Sequence, residues 1–298
     1  MGDRFGFVKG HGTENDFVVL PDPDGSVHGD LSPDLVRRLC DRRAGIGGDG
    51  VLRAVRCTSY DDPAAVASRD SAEWFMDYRN ADGSLAQMCG NGIRVFGRYL
   101  ADHQGVDTRR PLPVGTRDGV KWLRFGADGQ ISVEMGCGRV LGETTVAVGE
   151  RGWPATRVSM GNPHAVAFVD DLTDAGSLTV APSYDAGVFP EGVNVEFVVR
   201  RAPRHLAMRV HERGSGETRS CGTGACAVAV AAAATEGHEA AAAGRPEAEA
   251  TGDRWRVDVP GGTLTVTLAG DGTVRLTGPA VLVASGEVEL GRLGPASG

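Results

Sequence analysis

The sequence predicts an α/β fold of the α+β type, built from two related lobes. The chain has 298 residues, a length that fits about two domains of ~150 residues. Strand-like and helix-like segments alternate along both halves, which favours mixed layers of strands and helices. The pattern Cys-Gly-x-Gly occurs at residues 89–92 and again at 221–224, each time between a polar loop and an apolar, helix-like run. Together these observations predict a repeated α/β unit.

The first half contains two predicted helices among short strands. Residues 33–43 carry an apolar stripe that includes Leu35 and Leu39, and residues 93–100 repeat apolar side chains at helical spacing. Residues 80–87 are predicted to form a loop. Runs rich in β-branched and aromatic residues predict strands at 16–20, 51–56, 74–78, 121–125 and 131–135.

The second half repeats this plan. Glu212 precedes Cys221 by the same nine residues that separate Asn80 from Cys89. Two related lobes that meet at a cleft follow from this repeat. Residues 236–252 are rich in alanine, glutamate, glycine and proline, and we expect them to be exposed. The other predicted elements are strands at 165–169, 194–199, 205–211, 255–259, 264–268, 274–276 and 280–283, a loop at 214–220 and a helix at 224–234.

Composition and charge exclude several classes of partner. The net charge is −8 and no basic cluster is interleaved with aromatic residues, so we expect no nucleic-acid partner. The apolar run 225–234 is too short to cross a bilayer, and the first residues lack a secretory signal. The six cysteines have no regular spacing, which favours reduced thiols and a cytoplasmic protein over a disulfide framework.

Motifs for the common cofactors and hydrolases are missing from the sequence. The only two lysines, Lys9 and Lys121, lack the context of a Schiff-base site, so pyridoxal phosphate is not expected. No Cys-x-x-Cys, His-x-x-x-His or His-Glu-x-x-His pattern predicts a metal site, and no Gly-x-Ser-x-Gly elbow predicts a serine hydrolase. Residues 45–50 match Gly-x-Gly-x-x-Gly, but a helix precedes them and a strand follows, which indicates a tight turn rather than a dinucleotide site.

The two Cys-Gly-x-Gly patterns indicate acid–base chemistry. A thiol at a helix start meets free backbone N–H groups and the positive end of the helix dipole, which favour its thiolate and would also hold a carboxylate. Free cysteines are usually buried structural residues, which is how we interpret Cys40, Cys57, Cys137 and Cys226. Helix-start placement, flanking glycines and duplication set Cys89 and Cys221 apart from these. Such a pair suits removal of a proton from one face of a carbon and delivery to the other.

Longer motifs surround both cysteines and resemble those of the diaminopimelate epimerases. They occur in order from about residue 5 to about residue 285, and the two cysteine-centred blocks are long and specific. The matching stretches are Gly12-Thr-Glu-Asn15, Gly45-Ile-Gly-Gly-Asp-Gly50, Asn80-Ala-Asp-Gly-Ser with Met-Cys89-Gly-Asn-Gly-Ile-Arg94, Met160-Gly-Asn-Pro-His164, Asn194-Val-Glu-Phe, and Glu212-Arg-Gly-Ser-Gly-Glu-Thr with Cys221-Gly-Thr-Gly-Ala-Cys226.

The resemblance implies a fold and an activity. The family interconverts LL- and meso-diaminopimelate without a cofactor, on the path to lysine and peptidoglycan. Its fold is two pseudo-symmetric lobes, each a β-sheet or barrel wrapped around a central helix, with the active site in the cleft between them, and it usually forms a homodimer. Here the lobes would be residues 1–134, completed by the C-terminal strand 278–298, and residues 135–277.

The resemblance also implies roles for individual residues. Cys221 would accept the proton and Cys89 donate one in the LL-to-meso direction, while His164 and Glu212 would adjust the protonation of the thiols. The substrate would be bound by Asn15, Asn80, Gly90, Asn91, Asn162, Asn194, Glu212, Arg213, Gly222 and Thr223.

Two positions depart from the family pattern, and two other functions stay open. Some members carry a substrate-contacting Gln where this chain has Gly50, and the first loop reads Gly-Thr-Glu-Asn instead of the commoner Gly-Leu-Gly-Asn. Gly50 is therefore not assigned as a ligand. One alternative is a racemase or isomerase of the same fold, of the proline-racemase or phenazine-isomerase type, which a substrate panel would separate. The other is a thiol-based binding or redox-sensing protein.

Overall fold

A computed structural model describes residues 4–242 and 253–294 of the chain. These residues fall into two compact units. The limits of unit 1 are Met1–Val133 and Pro279–Gly298, and those of unit 2 are Glu134–Gly278. The chain therefore leaves unit 1 once and returns to it near the C-terminus.

Over its described residues, 4–133 and 279–294, unit 1 is built largely from strands, with three α-helices. Its elements are β1 (Arg4–Gly12), β2 (Asn15–Pro21), α1 (Pro33–Cys40), β3 (Gly50–Arg56), α2 (Pro63–Ser68), β4 (Trp74–Asn80), α3 (Gly90–His103), β5 (Leu112–Thr116), β6 (Gly119–Phe125) and β7 (Ile131–Cys137), the last of which runs across the unit boundary.

The described part of unit 2 contains one α-helix, a long one, among its strands. Its elements are β8 (Arg139–Val148), β9 (Arg151–Ser159), β10 (Pro163–Phe168), β11 (Ser183–Tyr184), β12 (Asn194–Ala202), β13 (His205–Glu212), β14 (Gly216–Thr218), α4 (Gly222–Ala242), β15 (Asp253–Val259), β16 (Gly262–Leu268) and β17 (Thr273–Gly278). The last strand, β18 (Val281–Glu289), belongs to unit 1.

The strand order is the same in the two units. In unit 1 the hydrogen-bonded order is β18-β1-β2-β3-β4-β5-β6-β7. In unit 2 it is β8-β9-β10-β12-β13-β15-β16-β17. Both orders run antiparallel, antiparallel, parallel, antiparallel, parallel, antiparallel, antiparallel. β18 thus takes the place in unit 1 that β8 takes in unit 2, and each of the eight strands in one order has an equivalent in the other.

Each unit has a central helix that lies in the chain between the fifth and sixth strands of this shared order. α3 is buried along almost its whole length, including Ile93, Phe96 and Leu100. α4 is rich in alanine and packs against all eight strands of the unit 2 order. A helix that is apolar or small on every side is one that a sheet can surround, so the composition of α4 explains its central position.

The amphipathic helix α1 covers the other face of the unit 1 sheet. Ser32 caps its N-terminus by accepting the Leu35 N–H, and its apolar stripe packs on Val18 and Val51. The helix ends at Cys40, three residues before the predicted end, because the Asp41 carboxylate accepts the N–H groups of the next turn. Residues 45–50 then connect α1 to β3, which confirms the helix-to-strand turn predicted there.

Several other elements differ from the sequence prediction. The predicted loop 214–220 contains β14, which pairs with β13. The predicted helix 224–234 continues to Ala242 because its alanines favour helix, so the first part of the 236–252 segment is helical. Residues 243–252 lie outside the described residues. The strands β1 and β8 were not predicted, since glycines interrupt the first and exposed polar residues the second.

Candidate active site

Cys89 is the N-cap residue of α3. Its backbone is extended, and its sulfur accepts the backbone N–H of Gly92 at 3.3 Å. The Cys89 carbonyl accepts the N–H of Ile93 at 2.9 Å. This is the position that Ser or Asp usually occupies at a helix start, so the sulfur faces the free N–H groups of the first turn. The thiol is partly exposed.

Asn15 links the Cys89 thiol to a charged network. Its Oδ1 accepts from the Cys89 thiol at 3.6 Å and from Asn91 Nδ2 at 3.2 Å, while its own Nδ2 donates to Asp49 Oδ2 at 2.7 Å. Asp49 is itself paired with Arg42 at 2.7 Å. The carboxylate therefore fixes which end of the Asn15 amide faces the sulfur, because only the NH₂ group can donate to it.

A buried arginine supports the first turn of α3. Arg94 donates to the carbonyl of Gly90 and to Asn91 Oδ1, both at 2.9 Å, and is fully buried. The structure thus joins Asn15, Asn91 and Cys89 in one cluster. Asn80 instead binds Ser84 through its side chain, at 3.0 Å.

Cys221 lies at the equivalent point of unit 2. Its sulfur accepts the N–H of Gly224 at 3.3 Å, and its carbonyl accepts the N–H of Ala225 at 3.0 Å. Gly222 is the first residue of α4. The sulfur-to-backbone geometry therefore repeats that of Cys89, although Cys221 is buried.

The surroundings of Cys221 are acidic. Burial is the main factor that raises the pKa of the Cys221 thiol well above its ordinary value, and the carboxylates of Glu212 and Glu196 raise it further. Burial also raises the pKa of Glu212, which is hydrogen-bonded to Thr218 and to the Cys221 thiol. A negative charge beside a thiol disfavours the thiolate, so these surroundings favour the protonated form of Cys221.

His164 connects this carboxylate cluster to the thiol. Its Nδ1 lies 2.6 Å from Glu196 Oε1, and its Nε2 lies 2.9 Å from Asn162 Oδ1. Asn162 Nδ2 donates to the Thr223 hydroxyl at 3.4 Å, and that hydroxyl lies 3.5 Å from the Cys221 sulfur. Both ring nitrogens therefore have a hydrogen-bond partner, which fixes the orientation of the imidazole.

Asn194 and Arg213 form a second group in unit 2. Asn194 Oδ1 accepts the Arg213 backbone N–H at 2.9 Å, and its Nδ2 donates to the carbonyl of Pro163 at 3.1 Å. The exposed Arg213 side chain borders a cavity of about 180 Å³ that Pro163 and Phe189 also line. A guanidinium at the edge of a small cavity can bind a carboxylate.

Sequence reasoning missed three residues of these clusters: Asp49, Arg94 and Glu196. Asp49 was treated as part of a glycine-rich turn, and Arg94 as a member of a matched motif without a role. Glu196 gave the clearest signal, because it is a carboxylate inside the apolar run 194–199. A buried charge in a strand is rare without a partner, and here the partner is His164.

No helix within the described residues is long and apolar enough to span a membrane. The six cysteines, all of them described, are free thiols.

Comparisons with known proteins agree on one family. The family model for diaminopimelate epimerase matches residues 7–141 and 156–283. The chain is 57% identical over 293 residues to the diaminopimelate epimerase of Streptomyces coelicolor, covering 97% of both chains. It is 50% identical over 291 residues to that of Thermobifida fusca, covering 96% of this chain and 99% of the relative.

More distant solved structures share the fold. A phenazine biosynthesis protein of the PhzF family from Bacillus anthracis has a TM-score of 0.65 at 15% identity, covering 97% of this chain and 99% of its own. A hydroxyproline epimerase from Agrobacterium vitis has a TM-score of 0.59 at 15% identity, covering 96% of this chain and 91% of its own. At such low identity the likeness concerns the fold, and it supports the predicted α+β class.

Proposed function

The chain belongs to the diaminopimelate epimerase family, and on that premise we propose that Cys89 and Cys221 are the two acid–base groups of its reaction. The protein is an isomerase that interconverts LL- and meso-diaminopimelate. The observation that carries the proposal is the repeated helix start, where each sulfur accepts a backbone N–H at 3.3 Å.

The chemical problem is the low acidity of the α-hydrogen of an amino acid. Its removal places negative charge on the α-carbon and the adjoining carboxylate, and that charge must be stabilised as it develops. Backbone N–H groups at a helix start are fixed donors that need no reorganisation during the reaction. We assign the backbone N–H groups of residues 90–91 and 222–223 to the substrate α-carboxylate.

The two thiols divide the proton transfers between them. In the LL-to-meso direction the thiolate of Cys221 removes the α-hydrogen, and the thiol of Cys89 delivers a proton to the opposite face. The roles exchange in the reverse direction. One sulfur must be ionised and the other protonated at the start of each turnover, and two like charges near one substrate oppose double ionisation. His164 and Glu212 adjust these protonation states at Cys221.

The rest of the substrate carries a second ammonium and a second carboxylate. We assign these groups to polar side chains around the thiols, with Arg213 as the ligand of the distal carboxylate because its guanidinium borders the small cavity. The complete set of proposed ligands is Asn15, Asn80, Gly90, Asn91, Asn162, Asn194, Glu212, Arg213, Gly222 and Thr223.

Assembly and location complete the proposal. We propose a homodimer, as the family resemblance implies, and a cytoplasmic enzyme, because its chemistry needs two reduced thiols. No cofactor takes part in the proposed proton transfers.

A substrate panel tests this function. The purified protein is incubated with LL-diaminopimelate, L-proline and L-glutamate, and stereoisomers are separated by chiral chromatography. We expect meso-diaminopimelate to form at least 10²-fold faster than D-proline or D-glutamate, because only the longer substrate fills both ends of the site. Racemisation of proline at an equal rate, or no turnover of diaminopimelate, would overturn the proposal.

A further inference from the structure

Glu196 is buried where a strand passes beneath the first turn of α4. It is fully buried, and a Cβ added to Gly224 would lie 2.8 Å from Glu196 Oε1 and 3.3 Å from the Cys221 sulfur. Only glycine at position 224 lets the carboxylate and the sulfur approach the same turn of backbone. The carboxylate therefore lies against the helix start that holds Cys221.

Stability alone does not explain a carboxylate at this position. One oxygen of Glu196 is bound by His164, but within the described residues Oε2 is buried and has no hydrogen-bond partner. A buried, unpaired oxygen costs free energy. Such an unpaired oxygen is rare in native structures, and its presence in Glu196 points to a functional requirement.

The equivalent position in unit 1 is apolar. His164 lies opposite Asn194 in the β10–β12 pair, and Phe17 lies opposite Gly50 in the equivalent β2–β3 pair. Two residues further along the second strand, Glu196 therefore corresponds to Leu52. A Cβ added to Gly92 would lie 3.4 Å from both Leu52 and Phe17. The fold thus accepts a Phe and a Leu beneath one helix start, where the other has a His and a Glu.

We propose that Glu196 is a positioning residue for the acid–base chemistry of Cys221. It holds His164, which orients Asn162 and the Thr223 hydroxyl at the sulfur, and its charge favours the protonated thiol while the site is empty. This inference rests on the proposed role of Cys221 as an acid–base group. Cys89 has Leu52 and Phe17 in the equivalent places, so no counterpart of Glu196 lies beneath its helix start.

The charges around the sulfur explain how such a group helps the reaction. The titratable groups that face Cys221 are Glu212 and Glu196, and the imidazole of His164 faces both of these carboxyl groups. The two carboxylates raise the pKa of the thiol, so the thiolate is a stronger base once it forms. The ammonium group of an arriving substrate brings a compensating positive charge, which favours ionisation when there is a hydrogen to remove.

The test measures the reactivity of each thiol without substrate. Glu196→Gln keeps the shape of the side chain and removes its charge. The parent protein and the variant are treated with methyl methanethiosulfonate at about pH 8, and the modification rates of the Cys89 and Cys221 peptides are followed by mass spectrometry. We expect the Cys221 rate to rise about tenfold, the effect of a one-unit fall in thiol pKa, while the Cys89 rate stays within about twofold.

Two further variants separate charge from structural damage. Glu143→Gln, on the exposed strand β8, is the matched control and leaves both rates unchanged. The double variant His164→Phe/Glu196→Leu places beneath α4 the two residue types that unit 1 has beneath α3, so it should fold. It should also raise the modification rate of Cys221. If Glu196→Gln fails to fold, this double variant supplies the measurement.

Two outcomes of this experiment would contradict the proposed role of Glu196. A Cys221 rate within about twofold of the parent, including one too slow to measure in both proteins, would contradict the role of Glu196. An equal rise at both cysteines would indicate a loosened structure and also overturn it. Failure of the proposed function would show itself differently, as a Cys221→Ser variant that still epimerises diaminopimelate.

Discussion

The starts of α3 and α4 have the same backbone geometry and differ in the chemistry of the neighbouring side chains. Both place a cysteine sulfur 3.3 Å from the N–H of the glycine three residues later. Around Cys89 the neighbours are the amides of Asn15 and Asn91, and the apolar side chains of Phe17 and Leu52 pack beneath the helix start. Around Cys221 they are the Thr223 hydroxyl, two carboxyl groups and an imidazole.

This difference separates what the fold supplies from what the side chains supply. The helix start provides donors for a carboxylate and holds the sulfur in place, in the same way in both units. The neighbouring groups then set how firmly each sulfur keeps its proton. A duplicated scaffold can thus give two chemically identical residues different acid–base properties.

The largest effect is expected from removing either thiol. Cys89→Ser and Cys221→Ser should each lower kcat by about 10²–10⁴-fold, because a serine hydroxyl does not ionise near neutral pH. The rate is measured as meso-diaminopimelate formed from the LL isomer. Cys137→Ser changes an exposed thiol outside both clusters and serves as the control. If either of these single variants kept more than about a tenth of the parent rate, the substituted thiol would be dispensable.

Exchanging the buried side chains beneath the helices should change stability unequally. Leu52→Glu places a carboxylate beneath α3 without a histidine beside it and should cost about 3–5 kcal/mol of unfolding free energy. Glu196→Leu removes the hydrogen-bond partner of His164 Nδ1 without burying a new charge, so its cost should be about 1–2 kcal/mol. Urea unfolding of the two variants gives both values. Equal losses of unfolding free energy in the two variants would mean that the sites beneath α3 and α4 are not different environments.

The charged support of Asn15 should affect catalysis more than stability. Asp49→Ala frees the Asn15 amide to rotate and should lower kcat/KM about tenfold, the loss expected for one charge-assisted hydrogen bond. Asp107→Ala removes an exposed aspartate of the same unit and should leave kcat/KM unchanged. Michaelis–Menten kinetics on the LL isomer provide the comparison. An Asp49→Ala variant with parental kcat/KM would show that the network does not position Asn15.

The smallest effect concerns the turns before the two substrate-binding asparagines. Glu14 precedes Asn15 with φ at 62°, while Gly161 precedes Asn162 with φ at 94°. Glu14→Gly should therefore stabilise the protein by about 1 kcal/mol, and Gly161→Ala should destabilise it by a similar amount. No heavy atom lies within 4 Å of a Cβ added at Gly161, so only backbone strain acts there. Thermal unfolding measures both shifts, and a stabilising Gly161→Ala would contradict this explanation.

Sequence periodicity predicted the elements whose burial follows a simple pattern. The apolar stripe of α1 and the apolar runs of β3, β4, β12 and β13 have such a pattern. The cysteine that begins each central helix was located by its motif. β1 and β8 do not have a simple burial pattern, because glycines or exposed polar residues break their alternation. β18 is exposed along most of its length and owes its place to pairing with β1 from the opposite end of the chain, a contact that no local pattern contains.

The clusters around the thiols were only partly accessible from the sequence. Motif matching located the cysteines, asparagines and His164 but assigned no partner to each of them. The contact of His164 with Glu196 joins two strands, and that of Asn15 with Asp49 joins a strand to the turn before β3. Sequence spacing does not determine such contacts until the strand register is known.

The central claim is that two thiols, not one, transfer the protons, and isotope exchange tests it most directly. LL-diaminopimelate is converted in deuterium oxide, and product and remaining substrate are separated early and analysed by mass spectrometry. If one thiolate removes the hydrogen and a second, solvent-exchanged thiol delivers the replacement, the meso product carries a single deuterium at its α-carbon and the recovered substrate carries none. Deuterium that enters the recovered substrate as fast as the product, or a product without label, would contradict the account.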